Sequence, residues 1–282
     1  MDKVKIIVCA HKADKNIRKG KPYFPLQVGK ALHPEVDLGF ACDNEGENIS
    51  EKNARWNELT AIYWGWKNIK STEYVGLNHY RRYFGLVIDE TNVDAVMAGY
   101  DVLTVKGRKS INFEVNKTDL TCATSQEDFW LFVDTLLGTY PQYKERIIDY
   151  FVNYNKSTPF NMFLAHKAIY DAYCQFIFPV LFNVENKVPE HGYSRQRRVI
   201  GYFGEMSLGL FIYCKQLKAR EVPYVMCGDA NHTNISYSMS VKGVVTHLIV
   251  MAKKLFRRKH TLVVPDDVRA GLRNDGIELH NI

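Results

Sequence analysis

The densest group of chemically active side chains is the segment GLNHYRRYF, residues 76–84. It follows a predicted strand, Tyr74–Leu77, and open α/β sheets bind their ligands at strand ends. His79, Arg81 and Arg82 would neutralise a diphosphate there through charge-assisted hydrogen bonds, with no need of a divalent cation. The alternative is an exposed arginine pair that makes weak surface salt bridges. The segment by itself leaves both interpretations open.

A single glutamate, Glu205, ends the segment RVIGYFGE, which leads from Arg198 into an apolar stretch. A carboxyl group in apolar surroundings has a raised pKa and can serve as a general base. An acidic side chain in the first turn of a helix stabilises that helix, which is the alternative role. A helix is predicted from about Val199 to Leu217, and its periodicity is consistent with either role.

The segment from Asn53 to Asn68 combines polar with aromatic side chains. A helix is predicted to begin at Ser50, whose hydroxyl can cap it, and free N–H groups at a helix start can hold phosphate or ribose. Asn53 and Asn57 lie one turn apart and would share a face. The large apolar side chains recur every three or four residues and are assigned to the core. They are Trp56, Leu59, Tyr63 and Trp66.

Short apolar strands alternate with helices in the first half, which is typical of βαβ units and a mainly parallel sheet. The sequence therefore predicts one α/β domain over residues 1–235, with an appendage over 236–282. The predicted strands are Lys5–Ala10, Val36–Cys42, Tyr74–Leu77, Val102–Val105 and Tyr224–Cys227. The other predicted helices are one capped by Ser125 and those at Tyr143–Asn153 and Ala168–Phe178.

Missing motifs exclude several enzyme classes. The chain has no G-x-x-x-x-G-K-[ST] phosphate loop, no G-x-G-x-x-G dinucleotide turn, no G-x-S-x-G nucleophile elbow and no H-E-x-x-H site. Its six cysteines show no metal-ligand spacing. No signal peptide precedes the first strand, and no apolar run reaches the roughly 18–20 residues that span a bilayer. These features argue against kinases, hydride-transfer enzymes and zinc hydrolases, and favour a cytoplasmic location.

Positive charge is concentrated near the C-terminus. Of 37 Lys and Arg, set against 31 Asp and Glu, five lie between Lys253 and Lys259. The remainder is nearly neutral, which argues against a general nucleic-acid binder. An apolar stripe precedes the basic cluster at helical spacing, and residues 241–259 thereby predict a helix on an anionic membrane surface. A docked terminal helix with a solvated basic end and a nuclear-type basic signal are the alternatives. The stripe consists of Val241, Val244, Val245, Leu248, Met251, Ala252 and Leu255.

Taken in order, several of these segments resemble a bacterial family of capsular-polysaccharide and exopolysaccharide glycosyltransferases, long known only as a domain of unknown function. The matching stretches extend over about residues 4–230, and those at 57–68 and 76–84 are the most specific. They are IIVCAHK at 6–12, NIS at 48–50 with Asn53, NELTAIYWGWKN at 57–68, GLNHYRRYF at 76–84, NMF at 161–163 and GYFGE at 201–205.

The resemblance implies a GT-A-like, Rossmann-type fold and a UDP-sugar donor, and some relatives are similar to galactofuranosyltransferases. In such a layout His11, Lys12 and Asp43 surround the nucleoside, while Asn53 and Glu58 flank the donor pocket.

The family layout also places Asn78-His79 where a D-x-D metal motif would fall, and no two aspartates stand two apart in this chain. His79, Arg81 and Arg82 then become the diphosphate contacts. The resemblance therefore implies no metal cofactor, with Mn²⁺ or Mg²⁺ as the alternative.

For the acceptor, the resemblance implies that Glu205 deprotonates the attacking hydroxyl, so that a single displacement inverts the anomeric configuration. Asn161, Arg198 and Tyr202 are the implied acceptor contacts. The sequence thus predicts an inverting glycosyltransferase of bacterial surface polysaccharide, peripheral on the inner face of the membrane, with a glycan or lipid-linked oligosaccharide as acceptor. A non-catalytic nucleotide- or glycan-binding module and a basic RNA-associated protein are the rival interpretations.

Overall fold

A computed structural model describes residues 2–188, 196–227, 232–235, 245, 248–249, 251–253 and 260–282. The chain divides into two compact units. The first comprises residues 1–106, 158–177 and 216–236, and the second comprises 107–157, 178–215 and 237–282. One boundary falls beside the predicted boundary at 235/236. The sequence-based prediction places residues 1–235 in one domain and does not assign 107–157 and 178–215 to a second unit.

The described strands form one mixed sheet, which belongs to the first unit. β1 pairs in parallel with β2 and β3, and β5 pairs in parallel with β7. The other pairs are antiparallel. They are β3 with β4, β3 with β6, β5 with β6, β4 with β8 and β8 with β9. The strands are β1 (Val4–Ala10), β2 (Tyr23–Gln27), β3 (Tyr74–His79), β4 (Arg82–Phe84), β5 (Val102–Val105), β6 (Phe163–His166), β7 (Ala219–Val222), β8 (Tyr224–Cys227) and β9 (His232–Ile235).

The central strands are apolar on both faces because helices and loops cover the sheet. In β1, VKIIVCA, six of the seven residues are buried. A nearly continuous apolar run of this kind is typical of strands inside α/β sheets. Its neighbour β3 is buried from Val75 to Asn78. The α/β class and the sheet flanked by helices are therefore confirmed.

The predicted strand Val36–Cys42 is wrong, and the second strand of the sheet is β2 instead. Pro25 lacks an N–H group and is tolerated in β2 because β1 is the one described strand that pairs with it. Val36 and Leu38 bond to a side chain rather than to a strand. Gln27 Nε2 donates to Val36 O over 2.9 Å, and Gln27 Oε1 accepts from Leu38 N over 3.0 Å.

The helices largely follow the predicted pattern, but the prediction that Ser50 caps a helix is wrong, because Ser50 lies in a 3₁₀ turn and its hydroxyl donates to Asp43. Ser125 Oγ accepts from Asp128 N over 3.0 Å, which confirms the predicted cap. The helices are α1 (Asn53–Trp56), α2 (Leu59–Asn68), α3 (Val93–Met97), α4 (Val115–Ala123), α5 (Gln126–Thr139), α6 (Lys144–Val152), α7 (Lys167–Glu185), α8 (Val199–Lys215) and α9 (Asp266–Asn274). Three-residue 3₁₀ turns lie at Ser50–Lys52, Pro141–Tyr143 and Gln196–Arg198.

The second unit is built from helices around aromatic side chains. α4 contacts α6 and α8, and α5 contacts α9. The rings of Phe132 and Phe203 stack with their centres 4.5 Å apart and their planes 3° from parallel. Phe129 and Trp130, on the same helix as Phe132, are fully buried. Large buried rings contribute most of the apolar area of such a core.

The predicted membrane-surface segment, residues 241–259, lies mostly outside the described residues. Four members of its apolar stripe are described: Ala252 is exposed, and the exposed fractions of the other three are 49% for Val245, 60% for Leu248 and 52% for Met251. In the described part of the chain, no helix combines the length and apolar character needed to cross a bilayer. The basic amphipathic helix stays a prediction.

Candidate functional site

The polar residues of the first unit converge at one edge of the sheet. β1 and β3 are parallel, with Cys9 beside His79, so their carboxyl ends lie together. β6 runs antiparallel to β3, with Leu77 beside Phe163, and this brings the residues before β6 to the same edge. Since open α/β sheets bind ligands outside the carboxyl ends of their strands, this edge is the candidate site.

The turn before β6 is strained. Phe160 and Asn161 both have left-handed backbones, with φ of 71° and 50°. Such residues cost about 1–3 kcal/mol each and cluster at active sites and ligand clamps. His79 Nε2 lies 2.6 Å from Phe160 O. A carbonyl oxygen only accepts, so Nε2 carries a proton and donates it, which fixes the tautomer of the neutral ring.

Glu58 and Asn161 are brought together at this edge although 103 residues separate them in the chain. Asn161 Nδ2 donates to Glu58 Oε1 over 2.9 Å, and Asn161 Oδ1 accepts from Tyr173 OH over 3.3 Å. Asn161 is fully buried. In this structure it therefore orients Glu58, rather than presenting its amide to an acceptor as the sequence predicts.

Arg81 ties the turn between β3 and β4 to the loop after β1. Its Nε donates to Asp14 Oδ2 over 2.7 Å, and the Asp14 side chain is only 4% exposed. The backbone N–H of Asn16 and then the Arg81 side chain hold the pKa of Asp14 below its usual value. Arg81 is thus not a solitary surface cation.

The loop at residues 11–22, here called the basic loop, carries five Lys or Arg residues and is fastened through Tyr83. Tyr83 OH donates to Asn16 O over 2.8 Å and accepts from Arg18 N over 3.0 Å. Burial raises the pKa of Tyr83 to about 12, so this phenol stays protonated. At the start of the loop His11 and Lys12 are exposed. They are therefore accessible to a ligand, as predicted contacts of the nucleoside must be.

Arg82 differs from its neighbour in having an unpartnered nitrogen. The centre of its guanidinium lies 4.5 Å from the ring centre of Phe160, within cation–π range. Its Nε is buried and makes no hydrogen bond. The predicted diphosphate contact, Arg82, therefore lies against the strained turn.

Asp43 is a fully buried carboxylate whose acceptor sites are taken by the protein itself. Oδ2 accepts from Gly29 N and Thr60 Oγ1, each over 2.9 Å. Oδ1 accepts from Lys30 N over 3.2 Å and from Ser50 Oγ. A carboxylate offers about four lone-pair sites. Asp43 therefore holds two loops together, and the predicted direct contact with the nucleoside is not available in this structure.

Asn53 belongs to the same network. Its Nδ2 donates to Asn57 O over 2.8 Å and to Thr60 Oγ1 over 2.9 Å. Asn57 has a left-handed φ of 51° at the junction of α1 and α2. Asn53 thus stabilises the junction that leads to Glu58. Any effect of Asn53 on the predicted donor pocket would act through this junction.

The remaining predicted residues belong to the second unit. Arg198 ends a 3₁₀ turn and is exposed, whereas Tyr202 and Glu205 are half-buried on α8. Because α8 begins at Val199, Glu205 is beyond the first turn. The alternative that it stabilises the helix N-terminus is therefore wrong. Its role as a base stays a prediction.

The described residues offer no ready metal site. Within them, no three His, Cys, Asp or Glu side chains are placed to hold an ion together. Mg²⁺ is commonly held by one or two carboxylates together with substrate phosphates, so a three-residue cluster is not required, and the metal-free site and its Mn²⁺ or Mg²⁺ alternative both stay predictions.

The sequence gives no role at this edge to two of its contributors, Asp14 and Phe160, although residues 160–163 after Pro159 are predicted to form a short strand or turn. Asp14 is the one acidic residue in the basic loop, and that isolation is a signal for an internal ion pair. Phe160 follows Pro159, but nothing in a single sequence indicates a left-handed phenylalanine.

Comparison with known proteins identifies relatives of the chain. A family model described as a domain of unknown function (DUF4422) matches residues 5–216, a range that includes every predicted site residue. Among solved structures, the apo structure of WbbM, a bifunctional glycosyltransferase, is similar, with a TM-score of 0.68 and 25% sequence identity. The likeness covers 85% of this chain and 48% of WbbM, so the chain spans about half of that protein's length. No curated protein matches the sequence.

Proposed function

We propose that this chain, which belongs to the DUF4422 family, is an inverting glycosyltransferase. It transfers a sugar from a UDP-sugar to a hydroxyl of a growing surface polysaccharide, and UDP-galactofuranose is the first donor to test. The acceptor is a glycan or a lipid-linked oligosaccharide, met at the cytoplasmic face of the membrane.

The observation that carries the proposal is the likeness to a glycosyltransferase over 85% of the chain at a TM-score of 0.68. A shared fold does not by itself imply a shared activity. The strand edge supplies the further support, because cationic side chains and a strained turn meet where an α/β sheet binds its ligand.

In the proposed reaction Arg81 and Arg82 stabilise the leaving diphosphate. Negative charge grows on the bridging oxygen as the bond between the anomeric carbon and the diphosphate breaks. Guanidinium groups held in place before the reaction stabilise that charge without reorganisation, which is usually the largest catalytic contribution. Arg81 is held by Asp14, and Arg82 lies over Phe160.

Glu205 is the proposed base. It takes the proton of the acceptor hydroxyl as that oxygen forms its bond to the anomeric carbon from the face opposite the diphosphate. UDP leaves with the electron pair of the broken bond, and the proton remains on the carboxyl group. One displacement inverts the configuration.

A calorimetric titration with UDP tests the donor half of the proposal. We expect binding in EDTA that Arg81→Ala weakens at least tenfold, since hydrogen bonds to charged groups contribute about 1.5–3 kcal/mol. Binding that appears only with manganese would retain the transferase and disprove the metal-free diphosphate site. Absence of binding to UDP and UDP-sugars under both conditions would contradict the donor class.

Turnover of Glu205→Gln separates the enzyme from a binding module of the same fold. A general base contributes roughly 10²–10⁴-fold, so we expect the variant to lose at least 100-fold in kcat. Donor binding should change little, because the amide keeps the shape of the side chain. Glu145→Gln, an exposed change at the start of α6, is the matched control. Retention of turnover within tenfold would end the base assignment.

We further propose that residues 241–259 attach the protein to an anionic membrane surface. Support comes from the basic cluster and from the exposure of Val245, Leu248 and Met251. Flotation with vesicles of neutral and anionic lipid tests this. The wild type should float with anionic vesicles only, and Lys253→Glu with Lys254→Glu should reduce recovery. Equal recovery from both vesicles would remove the electrostatic contribution.

A further inference from the structure

The side chain of Asn78 has no internal partner although it is completely buried. Its exposed fraction is 0%, and neither Nδ2 nor Oδ1 makes a hydrogen bond. Within the described residues it is the one buried amide with both atoms in this state. Burying a polar group without partners costs about 1–3 kcal/mol in proteins, so such a residue calls for an explanation.

The unpartnered groups of the first unit are concentrated at this corner of the sheet. Asn78 is the penultimate residue of β3, and Arg82, whose Nε is also unpartnered, begins β4. The strands are joined here by the pairing of His79 with Arg82. The other such atom in the described part of this unit, Oε1 of Glu90, lies 3.5 Å from Lys21 Nζ and is compensated by that charge.

Local geometry indicates which side chains cover the amide. Asn78 is the register partner of Val8 on the parallel strand β1, so the two side chains share a face. Val8 packs with Tyr83 and Cys227, and Ile17 of the basic loop packs against the same cluster. A ligand therefore reaches Asn78 only when this cover moves.

We propose that Asn78 binds a hydroxyl group of the nucleotide-sugar donor, an inference that rests on the proposed function. The amide offers two donors and two acceptor lone pairs. A phosphate oxygen only accepts and would leave Oδ1 unmatched, whereas a hydroxyl both donates and accepts. The neighbouring arginines take the diphosphate, and Asn78 takes a hydroxyl of the ribose or of the transferred sugar.

The test exploits the absence of internal partners. Asn78→Leu keeps nearly the same volume and removes a buried polar group that has nothing to bond to. The unfolding midpoint of the free protein should stay equal or rise by about 2–4 °C. Affinity for UDP or a UDP-hexose should fall at least tenfold. Asn78→Val, which suits a strand, is the second variant.

Asn116 provides the matched control in the second unit. It is also fully buried, but its Nδ2 donates to Tyr150 O over 3.2 Å. Asn116→Leu leaves that carbonyl unpartnered, so its midpoint should fall while nucleotide affinity is kept.

Titration with two ligands identifies the hydroxyl. Equal loss of affinity for UDP and for UDP-hexose assigns the ribose, and loss confined to UDP-hexose assigns the transferred sugar. A midpoint lowered by more than about 4 °C in both Asn78 variants would show that the amide is satisfied within the protein and would overturn the inference.

Unchanged affinity in stable Asn78 variants would also overturn the inference. If the wild type transfers sugar and the variants do so equally well, this inference alone fails. If the wild type binds no uridine nucleotide, the proposed donor and this inference fail together.

Discussion

Asp43 and Asn78 are both fully buried polar residues of the first unit, yet their surroundings are opposite. Asp43 receives four hydrogen bonds, from Gly29, Lys30, Ser50 and Thr60. Asn78 receives none. A saturated buried group stabilises the fold that surrounds it, and an unsaturated one is tolerated at the expense of stability. The difference separates the residues that build this edge of the sheet from those available to a ligand.

The largest expected effect is the loss of stability when Asp43, whose acceptor sites are all used, is replaced. Asp43→Ala removes one acceptor group and leaves four donors without it, so we expect a loss of about 3–5 kcal/mol in the free energy of unfolding. Urea denaturation measures this. Asp37→Ala, which removes one exposed hydrogen bond to Gly39 N, should cost under about 1 kcal/mol. Similar losses of unfolding free energy in Asp43→Ala and Asp37→Ala would show that the four hydrogen bonds to Asp43 do not stabilise the fold more than one exposed bond does.

Arg82 tests the role of the buried groups that lack hydrogen-bond partners. Arg82→Met keeps much of the aliphatic volume and removes the cation, so UDP affinity should fall about 10–100-fold, or about 1.4–2.8 kcal/mol. The free energy of unfolding should fall by no more than about 1–2 kcal/mol, because Nε has no hydrogen bond to lose and the cation–π contact with Phe160 is the interaction removed. Arg220→Met is the control, since that guanidinium also lies near a ring, Tyr100, and its Nη1 donates to Val96 O. A drop in stability without a change in affinity would assign Arg82 to the fold.

Asp14 is the intermediate case and carries the smallest expected effect. Its pKa is lowered from 3.8 in the folded protein, so its contribution to stability is present at neutral pH and is lost as the pH falls through and below 3.8. The contribution is at most about 1 kcal/mol. Asp14→Asn should flatten this part of the curve of unfolding free energy against pH. A curve identical to that of the wild type would show that ionisation of Asp14, which the Asn16 N–H and Arg81 favour, contributes nothing to stability.

Sequence patterns predicted the parts of this fold that depend on local apolar content. The bounds of β5 and β8 agree with the predicted Val102–Val105 and Tyr224–Cys227. The strand at Val36–Cys42 failed because the side chain of Gln27 bonds to Val36 and Leu38, and backbone pairing of this stretch with β2 is limited to one isolated bridge at Cys42. Periodicity does not report which group satisfies a backbone amide, so an error of this kind is inherent in the method.

The candidate site was only partly accessible to sequence reasoning. Glu58, His79 and Arg82 were found from residue types and from the family resemblance. Their arrangement depends on contacts between distant segments, such as Asn161 with Glu58 and Phe160 with His79. The burial of Asp43 and the missing partners of Asn78 are likewise properties of the folded chain. No spacing rule in one sequence encodes them.

The proline in β2 has a consequence for behaviour at high concentration. Along the outer side of this strand, Tyr23 N donates to Gly20 O and Gln27 N donates to Ala41 O, each over 2.8 Å. Between them Pro25 has no N–H to offer. An exposed strand edge with free donors templates the addition of a foreign strand and so begins aggregation. At this edge the donors are used or missing, so β2 resists sheet-to-sheet association between copies of the protein.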